Sequence, residues 1–151
     1  MKLIAHRGNT DGPDSKLENT VPYIDLAISK GYDCEIDLWV DEGRLYLGHD
    51  GPWHEIQPEF LWDRVGSLFV HAKNAEALHW LTENRQYINF FSHDQDEFVV
   101  TSEGQVWCFP SEKPIPFGIN LMPELNGLKP EDLADCVGIC SDYISQYREL
   151  G

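Results

Sequence analysis

Two carboxylates two residues apart are the first feature of this chain that could do chemistry. Glu35 and Asp37 lie in the apolar run Cys34-Glu35-Ile36-Asp37-Leu38. Because side chains alternate along a strand, the two acids share one face of it. Neighbouring carboxylates repel each other and resist burial, and a cation between them removes both costs. Oxygen ligands suit Mg2+ or Ca2+, so the pair predicts a divalent-cation site; a solvated edge strand would give the same alternation.

Basic side chains stand on other predicted strands or at their ends. His6 ends the first apolar run of the chain, and His49 follows the run at 45–47. His71 and Lys73 share one face of a later run. Since the carboxyl ends of parallel strands meet at the active face of βα folds, we expect these side chains and the carboxylate pair to converge.

Regular βα units are predicted for the first half of the chain. A helix begins after Thr20, a good N-cap, and ends at Gly31, and a second helix spans 75–83 after Asn74. The segment 92–123 has strand signals without a helical period long enough for a crossover helix. The apolar runs predicted as strands lie at 3–6, 34–40, 45–47, 68–72, 87–91, 98–101, 106–109, 119–122 and 137–140, with a tight turn at 41–44.

Composition argues against several classes of protein. The chain has 151 residues, 42% of them hydrophobic, which is too apolar for a disordered segment and enough for one domain over residues 1–151. Acidic residues number 26 against 11 Lys plus Arg, a net charge of −15, which argues against nucleic acid and anionic membranes as partners. No apolar run approaches the ~20 residues of a membrane span, and the first residues leave no room for a secretory signal. We therefore expect no membrane insertion and a cytoplasmic location, with the four cysteines reduced.

Four short motifs lie in the first 50 residues: Ile4-Ala5-His6-Arg7-Gly8, Glu18-Asn19-Thr20, Glu35-Ile36-Asp37 and Gly48-His49-Asp50. They resemble those of the glycerophosphodiester phosphodiesterase family. They match in order and spacing, which is far more specific than any one motif alone. Two later segments, 71–73 and 138–143, match more thinly. The resemblance implies a (β/α) TIM-type barrel that hydrolyses a phosphodiester with a bound divalent cation.

The resemblance implies roles for the residues in these motifs. It makes His6 and His49 the catalytic acid/base pair, and it assigns Glu35 and Asp37 to the metal. Histidines titrate near neutral pH, so one can accept the proton of the nucleophile while the other donates to the leaving oxygen. One of the pair could instead attack phosphorus directly and form a phosphohistidine. The residues alone leave both routes open.

The resemblance also implies contacts with phosphate. Arg7 and Lys73 would face the phosphate oxygens, where positive charge offsets the charge of the transition state. Glu18 would lie near the metal, or it could simply belong to the start of the helix. His71 stands where the family has a third acidic metal ligand. An imidazole there is neutral and softer, and it would shift the preference from Mg2+ or Ca2+ toward Mn2+ or Zn2+.

The chain is too short for a complete barrel of this kind. A (β/α)8 barrel typically takes about 250 residues, against 151 here. We therefore expect a shortened or incomplete TIM-type barrel with several helices missing. An apolar flank left bare in this way favours a homodimer in which a second copy covers it.

Two further residues are expected to contact the substrate. His93 follows a predicted strand and could line the pocket, add a metal ligand or be solvated. Trp107 could stack on a sugar or on glycerol carbons, although a tryptophan in a strand is more often core. Asn120, Glu124 and Asp142 are later strand-end groups that could select the leaving group by hydrogen bonding.

The leading hypothesis is a metal-dependent phosphodiesterase that acts on a small, soluble glycerophosphodiester or sugar-phosphate diester. A phosphodiester lyase that releases a cyclic phosphate is the first alternative. The second alternative is a barrel that has lost catalysis and binds phosphate-bearing ligands. His71 and the short second half favour the binding protein, whereas the retained His6 and His49 argue against it.

Overall fold

A mixed sheet of ten strands, curled into a half-barrel, positions the polar residues discussed above. This computed structural model describes residues 1–151. The strands are β1 Lys2–His6, β2 Asp33–Asp41, β3 Arg44–Leu47, β4 His54–Ile56, β5 Leu68–Ala72, β6 Phe90–Phe91, β7 Phe98–Val100, β8 Val106–Cys108, β9 Gly118–Leu121 and β10 Gly138–Ser141. Seven of them are parallel, in the spatial order β6–β5–β2–β1–β10–β9–β8. The predicted turn at 41–44 joins β2 to β3, which with β4 forms an antiparallel ribbon, and β7 pairs antiparallel with β8.

Helices are few, and the α-helices all lie in the first 83 residues. They are α1 Val21–Ser29, α2 Pro58–Trp62 and α3 Ala75–Glu83. Short 3-10 helices span Pro123–Asn126, Pro130–Leu133 and Ile144–Leu150. No helix of the protein combines the length and the apolar character that crossing a membrane requires.

The shortened TIM-type barrel expected from the sequence is wrong. Strands and helices do not alternate: β2, β3 and β4 follow one another directly, and loops alone join β6, β7, β8 and β9. The physical reason is the length of the connections. A crossover between parallel strands that contains a helix takes about a dozen residues or more, and only residues 109–117 lie between β8 and β9. The chain therefore makes this parallel pairing without a helix.

The two outer parallel strands, β6 and β8, approach each other without pairing. Ser102, in the loop after β7, satisfies the backbone of β6 instead. Its N–H donates to the Phe90 carbonyl at 2.8 Å, and its Oγ accepts from the Phe90 N–H at 2.9 Å. The rings of Phe91 and Trp107 stack across the same gap with centroids 4.6 Å apart. Side chains therefore link the edges that backbone pairing leaves open.

Two apolar layers determine which side chains face the inside of the curl. The outer layer, of 25 buried residues, packs the sheet against the helices. The residue two positions along the chain from each inner-layer residue lies above that layer, because alternate residues of a strand share a face. These residues include His6, His71, His93 and Asp142. The inner layer takes one residue from each of six parallel strands: Ile4, Phe69, Phe91, Trp107, Ile119 and Cys140.

The two predicted longer helices are confirmed. Asn74 caps α3, because its Oδ1 accepts from the Ala77 N–H at 3.0 Å. The same side chain bonds both backbone groups of Val40 near the end of β2. Helix α1 follows Thr20, whose side chain makes no capping bond, and ends before Gly31, whose φ of +91° suits glycine.

Replacing Asn74 by alanine should lower the free energy of unfolding by about 1–2 kcal/mol, because α3 loses its cap and β2 loses two hydrogen bonds. Urea denaturation monitored by circular dichroism measures the change. Asn126→Ala is the matched control, since this asparagine is exposed, and it should change stability by less than about 0.5 kcal/mol. Equal effects of the two substitutions would contradict the anchoring role of Asn74.

Candidate functional site

A cavity of about 160 Å3 lies above the inner apolar layer. Its walls bring together all the predicted catalytic and substrate-binding residues and three of the four predicted metal ligands. The exception is Glu18, which lines an adjoining pocket. The thirteen residues that line the cavity are His6, Arg7, Glu35, Asp37, His49, His71, Lys73, Phe91, His93, Trp107, Phe109, Leu121 and Met122.

Asp37 is buried and surrounded by positive and hydrogen-bonding groups. Its Oδ1 lies 3.1 Å from His71 Nδ1 and 3.7 Å from Lys73 Nζ. Its Oδ2 accepts from Asn19 Nδ2 at 2.9 Å and lies 3.2 Å from Arg7 Nε. Burial raises the pKa of Asp37, but the hydrogen bond with His71 and the two nearby cations outweigh it and hold the pKa well below its usual range. Asp37 is therefore ionised at neutral pH.

Two residues with left-handed backbones place these partners. Arg7 and Asn19 have φ of +54° and +55°, a region that costs a non-glycine residue free energy unless its surroundings hold it. Here the Arg7 N–H donates to the Glu35 carbonyl at 2.9 Å, and the Asn19 N–H donates to the Arg7 carbonyl at 3.1 Å. Asn19 Oδ1 also accepts from the Asp37 N–H at 2.9 Å. These bonds lock the loop after β1 and the turn before α1 against β2.

Glu35 has a buried carboxylate oxygen without a hydrogen-bond partner. The residue is 3% exposed, and no group of the protein bonds its Oε2; His6 Nε2 lies 3.8 Å away. Burial and the charge of Asp37 raise the pKa of Glu35 against the opposing effect of the surrounding basic groups. A buried polar atom in this state costs free energy unless a ligand meets it.

Glu35, Asp37 and His71 could together hold a metal ion. One ligand atom from each lies within 4.8 Å of the other two, and the register of β2 and β5 sets Asp37 directly beside His71. The unpartnered Oε2 of Glu35 supports this fit, because a cation would supply the interaction that no donor of the protein provides.

Asp142 orients His6, a connection that the motifs did not predict. His6 Nδ1 lies 2.8 Å from Asp142 Oδ1, and Asn9 Nδ2 donates to the same oxygen at 2.8 Å. The pairing arises because the first and last strands, β1 and β10, are parallel neighbours. Burial lowers the pKa of His6, but Asp142 and the charge of Glu35 outweigh it and hold the pKa above its ordinary value.

His49 lies at the exposed mouth of the cavity. Its side chain is 42% exposed, and its Nδ1 is 2.8 Å from Asp50 Oδ1. The turn that presents it requires glycine at 48, because φ there is +154° and a Cβ would collide with the carbonyl oxygen of Gly51. The two predicted catalytic histidines therefore flank the cavity at different depths, His6 buried and His49 exposed.

Aromatic side chains form another wall of the cavity. His93 stacks on Phe109 with centroids 3.6 Å apart, and its ring centroid lies 5.2 Å from that of His71. Trp107 belongs to the buried inner layer and lines the cavity as well, so it is both core and site wall. Burial lowers the pKa of His93, and the neighbouring His71 lowers it further.

The unpartnered buried side-chain atoms of this protein are concentrated at one place. There are four of them, and all belong to residues that line this cavity. Buried polar groups are normally satisfied, so such a concentration marks a candidate ligand site. The nitrogens of Arg7 and Trp107 can only donate, whereas the oxygen of Glu35, when ionised, can only accept. A cation together with an oxygen-bearing ligand would satisfy this set: Arg7 Nε, Glu35 Oε2, His93 Nδ1 and Trp107 Nε1.

Glu18 does not join the Glu35–Asp37–His71 cluster. Its Oε1 accepts from Asn9 Nδ2 at 3.0 Å, and its Oε2 lies 3.4 Å from Arg7 Nη1. Glu18 therefore supports Arg7 and Asn9 from outside the cavity. Asn9 links Glu18 to Asp142, and no sequence signal marked it beyond its place in the loop after β1.

Two of the later polar residues serve the fold. Asn120 bonds the backbone N–H and carbonyl of Ile115, at 2.9 and 3.0 Å. Glu124 accepts from the Ser141 hydroxyl at 2.8 Å. Neither residue lines the cavity.

Comparison with known proteins finds no relative: no family model, no curated protein and no solved structure matches this chain. The resemblance to glycerophosphodiester phosphodiesterases thus rests on the sequence motifs alone. The functional argument rests on the chemistry of the cavity.

Replacing Asp142 by asparagine should lower the pKa of His6, because the ring loses a charged acceptor while it stays buried. Histidine titration followed by NMR, in protein kept metal-free with a chelator, measures the shift. Asp50→Asn removes the carboxylate beside the other catalytic candidate and should leave His6 unchanged. A His6 titration that is the same in wild type and Asp142→Asn would contradict the pairing.

Proposed function

We propose that this chain is a divalent-cation-dependent phosphodiesterase that hydrolyses a small phosphodiester by histidine acid/base catalysis. The observation that carries the proposal is the concentration of unpartnered buried polar atoms in one cavity, beside a cluster of two carboxylates and an imidazole. The motifs that resemble glycerophosphodiester phosphodiesterases contribute several of the same side chains.

Glu35, Asp37 and His71 would hold the cation. A divalent ion there would act as a Lewis acid on the phosphoryl oxygens. Asn19 bonds both the carboxylate and the backbone N–H of Asp37, at 2.9 Å each. The Phe91 ring stacks on His71 at 5.1 Å. These contacts hold two of the three ligands in a fixed orientation, which metal sites need for affinity and selectivity.

Arg7 and Lys73 would bind the phosphate. Both line the cavity, and their cationic groups already lie within 3.7 Å of Asp37. Charge that builds on the phosphoryl oxygens in the transition state would strengthen their interaction with the substrate. Arg7 Nε lies 3.2 Å from Asp37 Oδ2 but makes no hydrogen bond in the protein, so its N–H can donate to such an oxygen.

His6 has the geometry of a general acid or base held by a carboxylate. With a proton on Nδ1 it donates to Asp142, which fixes the ring and stabilises its charged form. Its Nε2 then faces the cavity near Glu35, where a substrate oxygen can exchange a proton with it. His49 stands at the exposed mouth, where it can exchange a proton with water or with the departing alcohol.

The cavity suits a small substrate. Its volume of about 160 Å3 accommodates a phosphate and a short alcohol arm. This size favours a glycerophosphodiester or a sugar-phosphate diester whose second arm lies at the mouth. The net charge of −15 disfavours nucleic acids and anionic bilayers as substrates.

A small soluble substrate is consistent with a cytoplasmic enzyme, the location that we propose. The homodimer remains a proposal for sedimentation analysis. Its support is the apolar surface on the flank that lacks helices, where Phe98, Val100 and Phe117 are 59–71% exposed. Apolar surface of this kind often marks an interface.

Metal-stripped protein should hydrolyse bis(p-nitrophenyl) phosphate and glycerophosphocholine only after a divalent cation is restored. His49→Ala should lose turnover by about 10²-fold or more while it still binds substrate, because one proton transfer is removed. His79→Ala, on the exposed surface of α3, is the matched control and should keep wild-type turnover.

Phosphorus NMR of the products separates the remaining functions. A linear phosphomonoester supports the hydrolase, and a cyclic phosphate would replace it with the lyase. Ligand binding without turnover under any metal would contradict an enzyme and favour the phosphate-binding protein.

A further inference from the structure

The surroundings of His71 fix its ring beside the two carboxylates. The ring lies within 3° of parallel to that of Phe91, and the side chain is only 12% exposed. Its Nδ1 is 3.1 Å from Asp37 Oδ1, and Glu35 Oε2, which has no other partner, belongs to the same cluster. The candidate donor set therefore contains one imidazole nitrogen and two carboxylates.

Nearby cations reduce the negative charge that this cluster offers to a metal. Arg7 Nε and Lys73 Nζ lie 3.2 and 3.7 Å from Asp37. These two positive side chains partly neutralise the charge of the carboxylates of Glu35 and Asp37. Mg2+ and Ca2+ are hard ions that bind through oxygen ligands and charge, and this balance weakens their binding. A nitrogen ligand adds affinity for transition ions such as Zn2+.

The walls of the cavity also disfavour a heavily hydrated ion. Mg2+ usually keeps several waters, and Ca2+ takes about six to eight oxygen ligands. Phe91, Trp107, Phe109 and Leu121 share the small cavity, and their carbon surfaces offer no acceptor to metal-bound water. Zn2+, in contrast, forms catalytic sites with three protein ligands and one open position, and three protein ligands are what this cluster supplies.

We infer that this site selects a nitrogen-binding divalent transition ion, of the class that includes Zn2+ and Mn2+, over Mg2+ and Ca2+. His71 is the ligand that decides the selection. The inference rests on the metal site of the proposed function and names the class of ion that the site takes. It reverses the preference that the carboxylate pair alone predicts.

Direct binding to the metal-stripped protein tests this selection without any assay of activity. Isothermal titration calorimetry at constant ionic strength should give lower Kd values for Zn2+ and Mn2+ than for Mg2+ and Ca2+. His71→Glu replaces a nitrogen ligand by oxygen. It should reduce the preference for Zn2+ over Mg2+, measured as the ratio of their Kd values, by about tenfold or more. His79→Glu makes the same charge change at an exposed position of α3 and should keep the wild-type ratio.

Pulsed electron paramagnetic resonance of the Mn2+ complex provides a second measurement, which needs no variant. The wild-type protein and His79→Glu should show a directly bound nitrogen, and His71→Glu should lose it. Circular dichroism checks the fold of each variant, and His71→Gln provides a second oxygen-bearing replacement of similar size without added charge.

Equal affinity of the wild type for all four ions, or binding of none, would overturn the inference. Absence of the nitrogen signal from the wild-type Mn2+ complex would overturn it as well. Selective Zn2+ and Mn2+ binding without phosphodiester hydrolysis would reject the proposed function and leave the inference standing. Hydrolysis by a protein that binds Mg2+ more tightly than Zn2+ would support the function and overturn the inference.

Discussion

The burial of two carboxylates side by side on β2 is the constraint on which the rest of this site depends. Asn19, His71 and two cations of the protein offset the free-energy cost of burying Asp37. The cost of burying Glu35 is not offset in the same way, because no group of the protein hydrogen-bonds its Oε2. This asymmetry separates a carboxylate that the fold stabilises from one that a ligand must stabilise. The left-handed backbones of Arg7 and Asn19 and the network from Glu18 through Asn9 to Asp142 all serve to hold groups around that pair.

A half-barrel is enough to build such a site. The cavity needs an apolar floor and polar strand ends above it, and both come from parallel strands whose alternate residues share a face. The helices of the first half pack on β2 and β5, the strands that carry Glu35, Asp37 and His71. The second half contributes mainly aromatic wall and floor. There loops replace helices, and Ser102 and the stacked pair of Phe91 and Trp107 link the edges of the sheet.

Local pattern predicted what depends on local structure. Alternation placed Glu35 with Asp37 and His71 with Lys73, and Asn74 was recognised as a helix cap; the structure shows each of these. The overall fold was predicted wrongly, because the strongest resemblance covered only residues 4–50, and later connections such as 109–117 are too short for a helical crossover. The link from His6 to Asp142 depends on the pairing of the first and last strands. The bond from Asn9 to Asp142 depends on the same pairing. Such contacts are set by non-local packing, which periodicity does not record.

The central claim is that a cation and an oxygen-bearing anion together satisfy the unpartnered atoms of this cavity. A crystal structure of the protein soaked with Mn2+ and inorganic phosphate, with anomalous data collected for manganese, tests it most directly. The account predicts one anomalous peak within ligand distance of Glu35 Oε2, Asp37 and His71. It also predicts phosphate oxygens at hydrogen-bond distance from Arg7 Nε or Trp107 Nε1. A peak elsewhere, or a cavity filled only by water while Glu35 Oε2 stays without a cation, would contradict it.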